Sequence, residues 1–361
     1  MKKRAIVSVA LSCFFPSLSS SAENDSFSFL NWGAYVAPDE ITAMAEEFGW
    51  EVQEVTYENS DKAESLLLAG GSGFDVAVVA TETLGRLVSA GALQEVSSFE
   101  FSGRAELEQG LWPLLLEALP VAEKYAVPYA WGTLGLAFDI NEVRARLPDV
   151  ALDSWSLIFD PQNAAALADC GISIVDSNEE VVAAALTYLG RNPQSVLQQD
   201  LDAAFEVLES IAPFVQSYDT FQHDALIDGR ACLSISWSSE AFEPDLKTAL
   251  PHIKYVLPKE GSNLWADLFV LPADAPSPQK GVKMINRFSH VDVMAANAKF
   301  TFSVARSADV RALIQSPYYS HSALTLPDEV LKNLYVVHAR DGAGKRLLDQ
   351  RWHKMQLGIR Q

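Results

Sequence analysis

The chain has 361 residues, 49% of them apolar, and its 27 Lys and Arg are outnumbered by 47 Asp and Glu, for a formal net charge of −20. Nucleic acid and anionic membrane surfaces are therefore poor partners; an acidic surface is compatible with a cationic ligand without demonstrating one, because net charge bears mainly on solubility. At about 150 residues per domain the length points to two domains, each large enough for its own core.

The first element is an export signal. Lys2, Lys3 and Arg4 form a positive start, residues 5–15 a short apolar run, and Ser20-Ser21-Ala22 a small-residue cleavage site. At about 11 residues the run is too short to span a bilayer as a helix. A buried N-terminal helix accounts poorly for the basic start and the serine-rich end. Ser12 before Cys13 leaves a lipoprotein signal open, although Ala10 stands where such signals usually carry leucine. Cleavage after Ala22 predicts a soluble exported protein, since no later stretch approaches the ~18 apolar residues of a membrane span.

Strand and helix then alternate. Residues 27–31 read as a strand, and residues 38–49 as a helix with Ile41, Met44, Ala45 and Phe48 on one face and Gly49 as its stop. Residues 51–57 alternate as a strand, and Ser60 is the expected N-cap of a helix ending at Gly70-Gly71. Residues 75–79 form a short apolar run typical of a buried parallel strand, and a helix follows. The same grammar restarts after Pro128: strand 171–175, helix 178–189 and strand 231–235, then strand 268–271, helix 278–288 and a last helix over 345–356. This succession predicts an α/β protein whose mainly parallel sheets are covered on both faces. There is no repeat, low-complexity tract or long linker, so the chain is expected to cross between its two lobes more than once.

Cys13 leaves with the signal. Cys170 and Cys232 then form an even pair in an oxidising compartment, where a disulfide is the default reading and two buried thiols that never meet the alternative. Catalytic signatures are missing. Gly70, Gly71 and Gly73 complete neither a dinucleotide nor a phosphate loop, and Ser72 between them lacks the spacing of a nucleophile elbow. Gly344-Lys345 has no upstream glycine, and the six histidines are scattered without zinc-binding spacing. Tyr318-Tyr319, a pair that suits ferric iron, has no evident carboxylate or histidine partner. No catalytic residue, metal or cofactor is expected, and the chain does not read as an enzyme.

Several stretches, in order, resemble the periplasmic putrescine- and spermidine-binding proteins of ABC importers. They are LNWGAYVAPD (30–39), GFDVAVV (73–79), VPYAWG (127–132), DCGISIVDSNEEV (169–181) running into LTYLGRNP (186–193), CLSISWSSE (232–240), and PKEG (258–261) with WAD (265–267). The likeness extends from about residue 28 to the C-terminus and is nearest to the putrescine-binding branch, where both cysteines fall at paired positions. It implies the two-lobed type II periplasmic-binding fold with the ligand in the interlobe cleft, one lobe formed by residues 27–130 and 267–300 and the other by 131–266 and 301–361. The implied function is capture of a small cationic amine by a periplasmic monomer that docks on the permease of an ABC importer in the inner membrane.

The resemblance also implies the site. Trp32, Tyr35, Trp237, Trp265 and Phe302 would be aromatic walls, and Glu180, Glu240 and Asp267 carboxylates, with Glu82 a possible fourth. Each has another reading. Ser177-x-x-Glu180 is also a helix capping box, Asp267 also a strand-end turn residue, and Trp32 and Trp237 also core. The sequence departs from the family at Gly33 and Ala34, where polar side chains are usual, and at Val79-Ala80, where Pro-Ser is usual and a hydroxyl contact is gone; Phe302 lacks a tyrosine hydroxyl. Glu240 is one methylene longer than the family's aspartate, and Glu82 replaces serine or tyrosine. A cationic amine still fits; another cationic solute, such as a guanidino compound or a basic amino acid derivative, is the rival, and a non-transport sensor on the same fold a more distant one.

Overall fold

The computed structural model describes residues 25–242, 251–338, 340 and 342–359. The export signal, its cleavage site and Cys13 lie outside the described residues. Strands β1 (Ser26–Trp32), β2 (Glu51–Tyr57) and β3 (Val76–Ala80) alternate with helices α1 (Pro38–Phe48), α2 (Ser60–Leu68) and α3 (Thr81–Ser89). Both β2 and β3 run parallel to β1, as the β-α-β-α-β succession predicts.

Two long strands change the picture. β4 (Val127–Asp139) has 13 residues and β9 (Ser262–Val270) has 9. β9 is antiparallel to β3 through Ala77–Val270 and Ala80–Asp267, and antiparallel to the first half of β4. The second half of β4 pairs antiparallel with β7 (Leu233–Trp237) and with β8 (Ile253–Val256). β5 (Ile172–Val175) lies parallel to β6 (Ser217–Asp219) and to β7. Short β10 (Leu334–Tyr335) pairs with the start of β9. The fold is thus α/β in two lobes, but its sheet is mixed: parallel within each β-α-β run, antiparallel where β4 and β9 carry the chain between them.

Strand alternation separates the cores. Phe27, Phe29, Val76, Val78 and Phe269 fall in one cluster, whereas Leu30, Ala77, Val79, Leu268 and Val270 fall in another. These are the two faces of one sheet, as a period of two requires. The second lobe has its own cluster, built on Leu134, Leu136, Phe138, Ile172, Ile174, Leu233 and Ile235 and joined from the C-terminal helix by Leu348, Trp352 and Met355. Residues 301–336 send Phe302, Val310, Ile314 and Tyr319 into the first cluster and Val304, Leu326 and Val336 into its counterpart on the other face.

Cys170 and Cys232 form the expected disulfide, with Cα atoms 5.5 Å apart across a separation of 62 residues. Closing such a loop contributes about 4 kcal/mol in the chain-entropy account. It ties together the starts of β5 and β7, where glycine is required at 171: its φ is 87°, and a Cβ there would lie 2.0 Å from the carbonyl oxygen of Arg230.

One local expectation is corrected. Asn59, not Ser60, caps α2: its side chain accepts from the Lys62 N–H, and Ser60 is the first helical residue. Asn and Ser are near-equal caps, and the residue with extended backbone, here Asn59 at φ −152° and ψ 153°, takes the role.

Candidate functional site

A cavity of about 530 Å³ lies between the lobes, lined by Trp32, Tyr35, Glu82, Glu180, Trp237, Glu240, Trp265 and Asp267. Eight of the nine residues singled out for a ligand site are thus brought together. Phe302 is not: it is the C-cap of the Val291–Thr301 helix at φ 53°, buried in the first core with its ring edge-on to Tyr318 at 5.9 Å. The left-handed backbone turns its side chain inward, away from the cavity lining.

β9 supplies the first carboxylate. Asp267, only 6% exposed, accepts from the indole N–H of Trp32 at 3.0 Å and from the hydroxyl of Tyr35 at 2.6 Å. Trp32 ends β1 and stacks tilted on Tyr57, 4.5 Å between centroids, so the donor is fixed from behind. Tyr35 is held in turn by the edge of the Tyr129 ring, whose hydroxyl donates to the Tyr35 carbonyl. Burial, the largest influence, pushes Asp267 up to about 7; the bonds from Tyr35 and Trp32 pull it down and the charge of Glu82 raises it further.

Glu180 sits in the first turn of the Asn178–Tyr188 helix, yet the capping box is not made, because Ser177 forms no side-chain cap bond. Its carboxylate instead accepts from the indole N–H of Trp237 at 2.8 Å and from the Asn263 amide at 2.6 Å. Burial again dominates and lifts it to about 7, with Glu82 adding to the rise and Trp237 and Asn263 opposing it. Glu82, in the first turn of α3, accepts from the Ser60 hydroxyl at 2.7 Å and is raised chiefly by burial. Glu240 accepts from the backbone N–H of His223 at 3.4 Å.

Trp265 depends on a glycine. Gly132 on β4 is its register partner, and a Cβ there would lie 1.9 Å from the indole Cζ2, so only glycine lets the ring lie over β4. Asn263, Trp265 and Asp267 share one face of β9 by strand alternation. Asn263 was not singled out from the sequence, although its place two residues before Trp265 is the signal that points to it. Ser60 and Arg86 were also missed. Arg86 lines the cavity but is engaged by Glu64 through Nε at 2.8 Å and Nη2 at 2.6 Å. Glu179, beside Glu180, is paired with Arg340, both nearly fully buried.

Among the described residues, neither Asp267, Glu180 nor Glu82 has a cationic side chain within ion-pair distance. These three carboxylates therefore accept hydrogen bonds from neutral donors, between indole faces, with Arg86 near enough to Glu82 to oppose its rise. No cluster of three or more His, Cys, Asp or Glu suited to a metal ion occurs among the described residues, and none of their helices is long and apolar enough to cross a membrane.

Comparison with known proteins agrees with this architecture. Residues 41–320 match the family model of bacterial extracellular solute-binding proteins. The chain is 30% identical over 343 residues to a putrescine/agmatine-binding protein of Pseudomonas aeruginosa, covering 93% of each chain. It is 28% identical to the putrescine-binding periplasmic protein PotF of Escherichia coli, over 94% of this chain and 93% of that one. Among solved structures, the spermidine/putrescine ABC transporter substrate-binding protein PotD of Streptococcus pneumoniae superposes with a TM-score of 0.76 at 20% identity, covering 92% and 98% of the two chains. At that identity the likeness concerns the fold.

Proposed function

The chain belongs to the bacterial extracellular solute-binding proteins, and from that premise we propose that it captures a di- or polyamine of the putrescine and spermidine class between its lobes and delivers it to an ABC permease. The observation that carries this reading is the pair Asp267 and Glu180, two buried carboxylates in one cavity, each held by an indole N–H and neither paired with a cation among the described residues. A carboxylate stripped of water costs several kcal/mol unless a counter-charge replaces the water. An alkyl amine with ammonium ends supplies that charge twice over, and its methylenes suit the walls of Trp32, Trp237 and Trp265. Indole faces add about 0.5–2 kcal/mol of cation–π attraction.

Binding is reversible and involves no bond making, so the protein acts as a carrier rather than an enzyme. Open lobes admit the amine, closure buries it, and the closed form docks on the importer. The protein works in the periplasm as a monomer after its signal is cleaved near Ala22. The expected lobe division, 27–130 with 267–300 against 131–266 with 301–361, is carried into this proposal with one amendment. Because Val304, Leu326 and Val336 pack with Leu30 and Val79 on the first-lobe sheet, whereas Leu348, Trp352 and Met355 pack in the second-lobe cluster, we assign those three positions to the first lobe and the C-terminal helix to the second.

Calorimetric titration with putrescine and spermidine tests the reading. Asp267→Asn is expected to weaken binding by roughly 2–5 kcal/mol, the usual effect of truncating one partner of a buried charge pair. Unchanged affinity would remove Asp267 from the site. Glu82 and the absent hydroxyls at Gly33, Ala34 and Ala80 favour a second reading, a guanidino or basic amino acid ligand. A thermal-shift panel silent to every amine and responsive to such a solute would establish it.

A further inference from the structure

We propose, resting on the amine-binding reading above, that Lys345 is a resident ammonium that fills the outer part of the cleft and limits the length of the amine bound there. A lysine side chain is a flexible four-carbon stem ending in an ammonium, chemically the end of an alkyl amine. Lys345 lines the same cavity as Asp267 and Glu180. Its Nζ lies 3.1 Å from Asp61 Oδ1 and 3.0 Å from each carboxylate oxygen of Asp349, and its side chain is only 17% exposed. Asp61 and Asp349 are far more open to solvent than Asp267 and Glu180, which places Lys345 in the outer part of the cavity.

The two carboxylates that hold Lys345 continue the walls that carry the inner acids. Asp61 follows Ser60, whose hydroxyl donates to Glu82 at 2.7 Å. Asp349 accepts from the Asn178 amide at 2.7 Å, and Asn178 opens the helix that carries Glu180 two residues later. An amine anchored on the inner acids and extended outward therefore meets Lys345, which stands where its own far ammonium would sit. Other charged groups of the lining are engaged elsewhere. Glu179 is paired with Arg340 and Arg86 with Glu64, while Asp176 accepts from the Trp352 indole and the Gln356 amide. Glu58 and His353 are exposed. A cavity of about 530 Å³ is not itself short of room, since sites for drug-sized ligands measure about 300–1,000 Å³. What limits length is the cation already in place: it repels an incoming ammonium, and its stem fills the path.

The test is a calorimetric series of unbranched terminal diamines, from putrescine to long chains, on the full-length protein and on Lys345→Ala and Lys345→Met. In the wild type, affinity is expected to fall beyond one chain length. In Lys345→Ala that fall should move to longer chains, and the long diamines should gain about tenfold or more as their methylenes replace the lysine stem. Putrescine, too short to meet Lys345, should lose no more than about fivefold from the missing ion pair. Lys345→Met removes the charge and keeps most of the stem, so it should shift the limit part of the way. Adding Asp61→Asn and Asp349→Asn to Lys345→Ala should cancel the gain, because those carboxylates would receive the far ammonium. The same length profile in the wild type and both single variants, or a gain that survives loss of both carboxylates, would overturn the inference and leave amine binding intact. Failure of the wild type to bind a diamine of any length would overturn both readings.

Discussion

Asp267 and Glu180 exchange hydration for bonds from neutral donors, and that exchange sets how the empty cleft responds to pH. Both carboxyls are lifted by burial to about 7 from 3.8 and 4.5. A group raised in the folded state holds its proton there while the unfolded chain has lost it, so stability is fullest below pH 4 and falls as pH rises through 7. Their combined contribution to the ligand-free protein is on the order of several kcal/mol. Amine binding has the opposite sign, because ammonium ends require the ionised forms. Affinity should therefore tighten as pH rises from 5.5 to 8, with protons released on binding between pH 6 and 7. Calorimetry in two buffers of different ionisation enthalpy measures that release; a flat affinity over the range would show that these carboxyls do not meet the ligand's charge. The gathering of eight of the site residues in one cavity was legible through the family resemblance, not through composition or spacing. Phe302 was not, because a left-handed backbone in a phenylalanine leaves no mark in the sequence.

At the scale of elements, the parallel strands β1, β3 and β5 were legible as apolar runs between helices, and helix 38–48 ended at Gly49 as its spacing required. β4 was not recognised as one strand. Pro128, Gly132 and Gly135 interrupt its pattern, and each is tolerated for a tertiary reason: a bulge between Pro128 and Ala130, then indole and phenol rings of Trp265 and Tyr255 where side chains of residues 132 and 135 would lie. Only pairing with β9, more than a hundred residues away, shows this. The consequence is testable. Gly132→Ala must displace the Trp265 ring, which should lower stability by about 1–3 kcal/mol and weaken amine binding with it. Adding Trp265→Phe, a smaller ring, should recover part of the stability and little of the affinity, giving a clear coupling in a double-mutant cycle read by thermal melting. Additive losses would mean that the two positions do not share space.

At the scale of the whole molecule, a carrier must hold its lobes together long enough to deliver cargo and no longer. Two lobes were legible from the restart of the β/α pattern and the missing linker; the contact that joins them was not, because it pairs residues 61 and 345. Lys345 Nζ lies 3.1 Å from Asp61 and 3.0 Å from Asp349. α2 carries Asp61 and packs on a first-lobe core through Ala63 and Leu67, whereas the Gly342–Ile359 helix packs on the second-lobe core through Leu348, Trp352 and Met355. The ion pair thus spans the cavity from one core to the other, and Asp349 is itself anchored by the Asn178 amide at 2.7 Å. Asp61 is largely exposed, so the pair contributes about 0–1 kcal/mol and is screened by salt. That small size suits a latch: it biases closure without trapping the ligand. Lys345→Met should raise the amine release rate by up to about fivefold with little change in association, since such contacts act chiefly on dissociation. In the wild type, release should also quicken as salt is raised, and the variant should lose that dependence. Stopped-flow tryptophan fluorescence measures both rates; an unchanged release rate with the salt dependence intact would mean that closure is held by the ligand and the hinge alone.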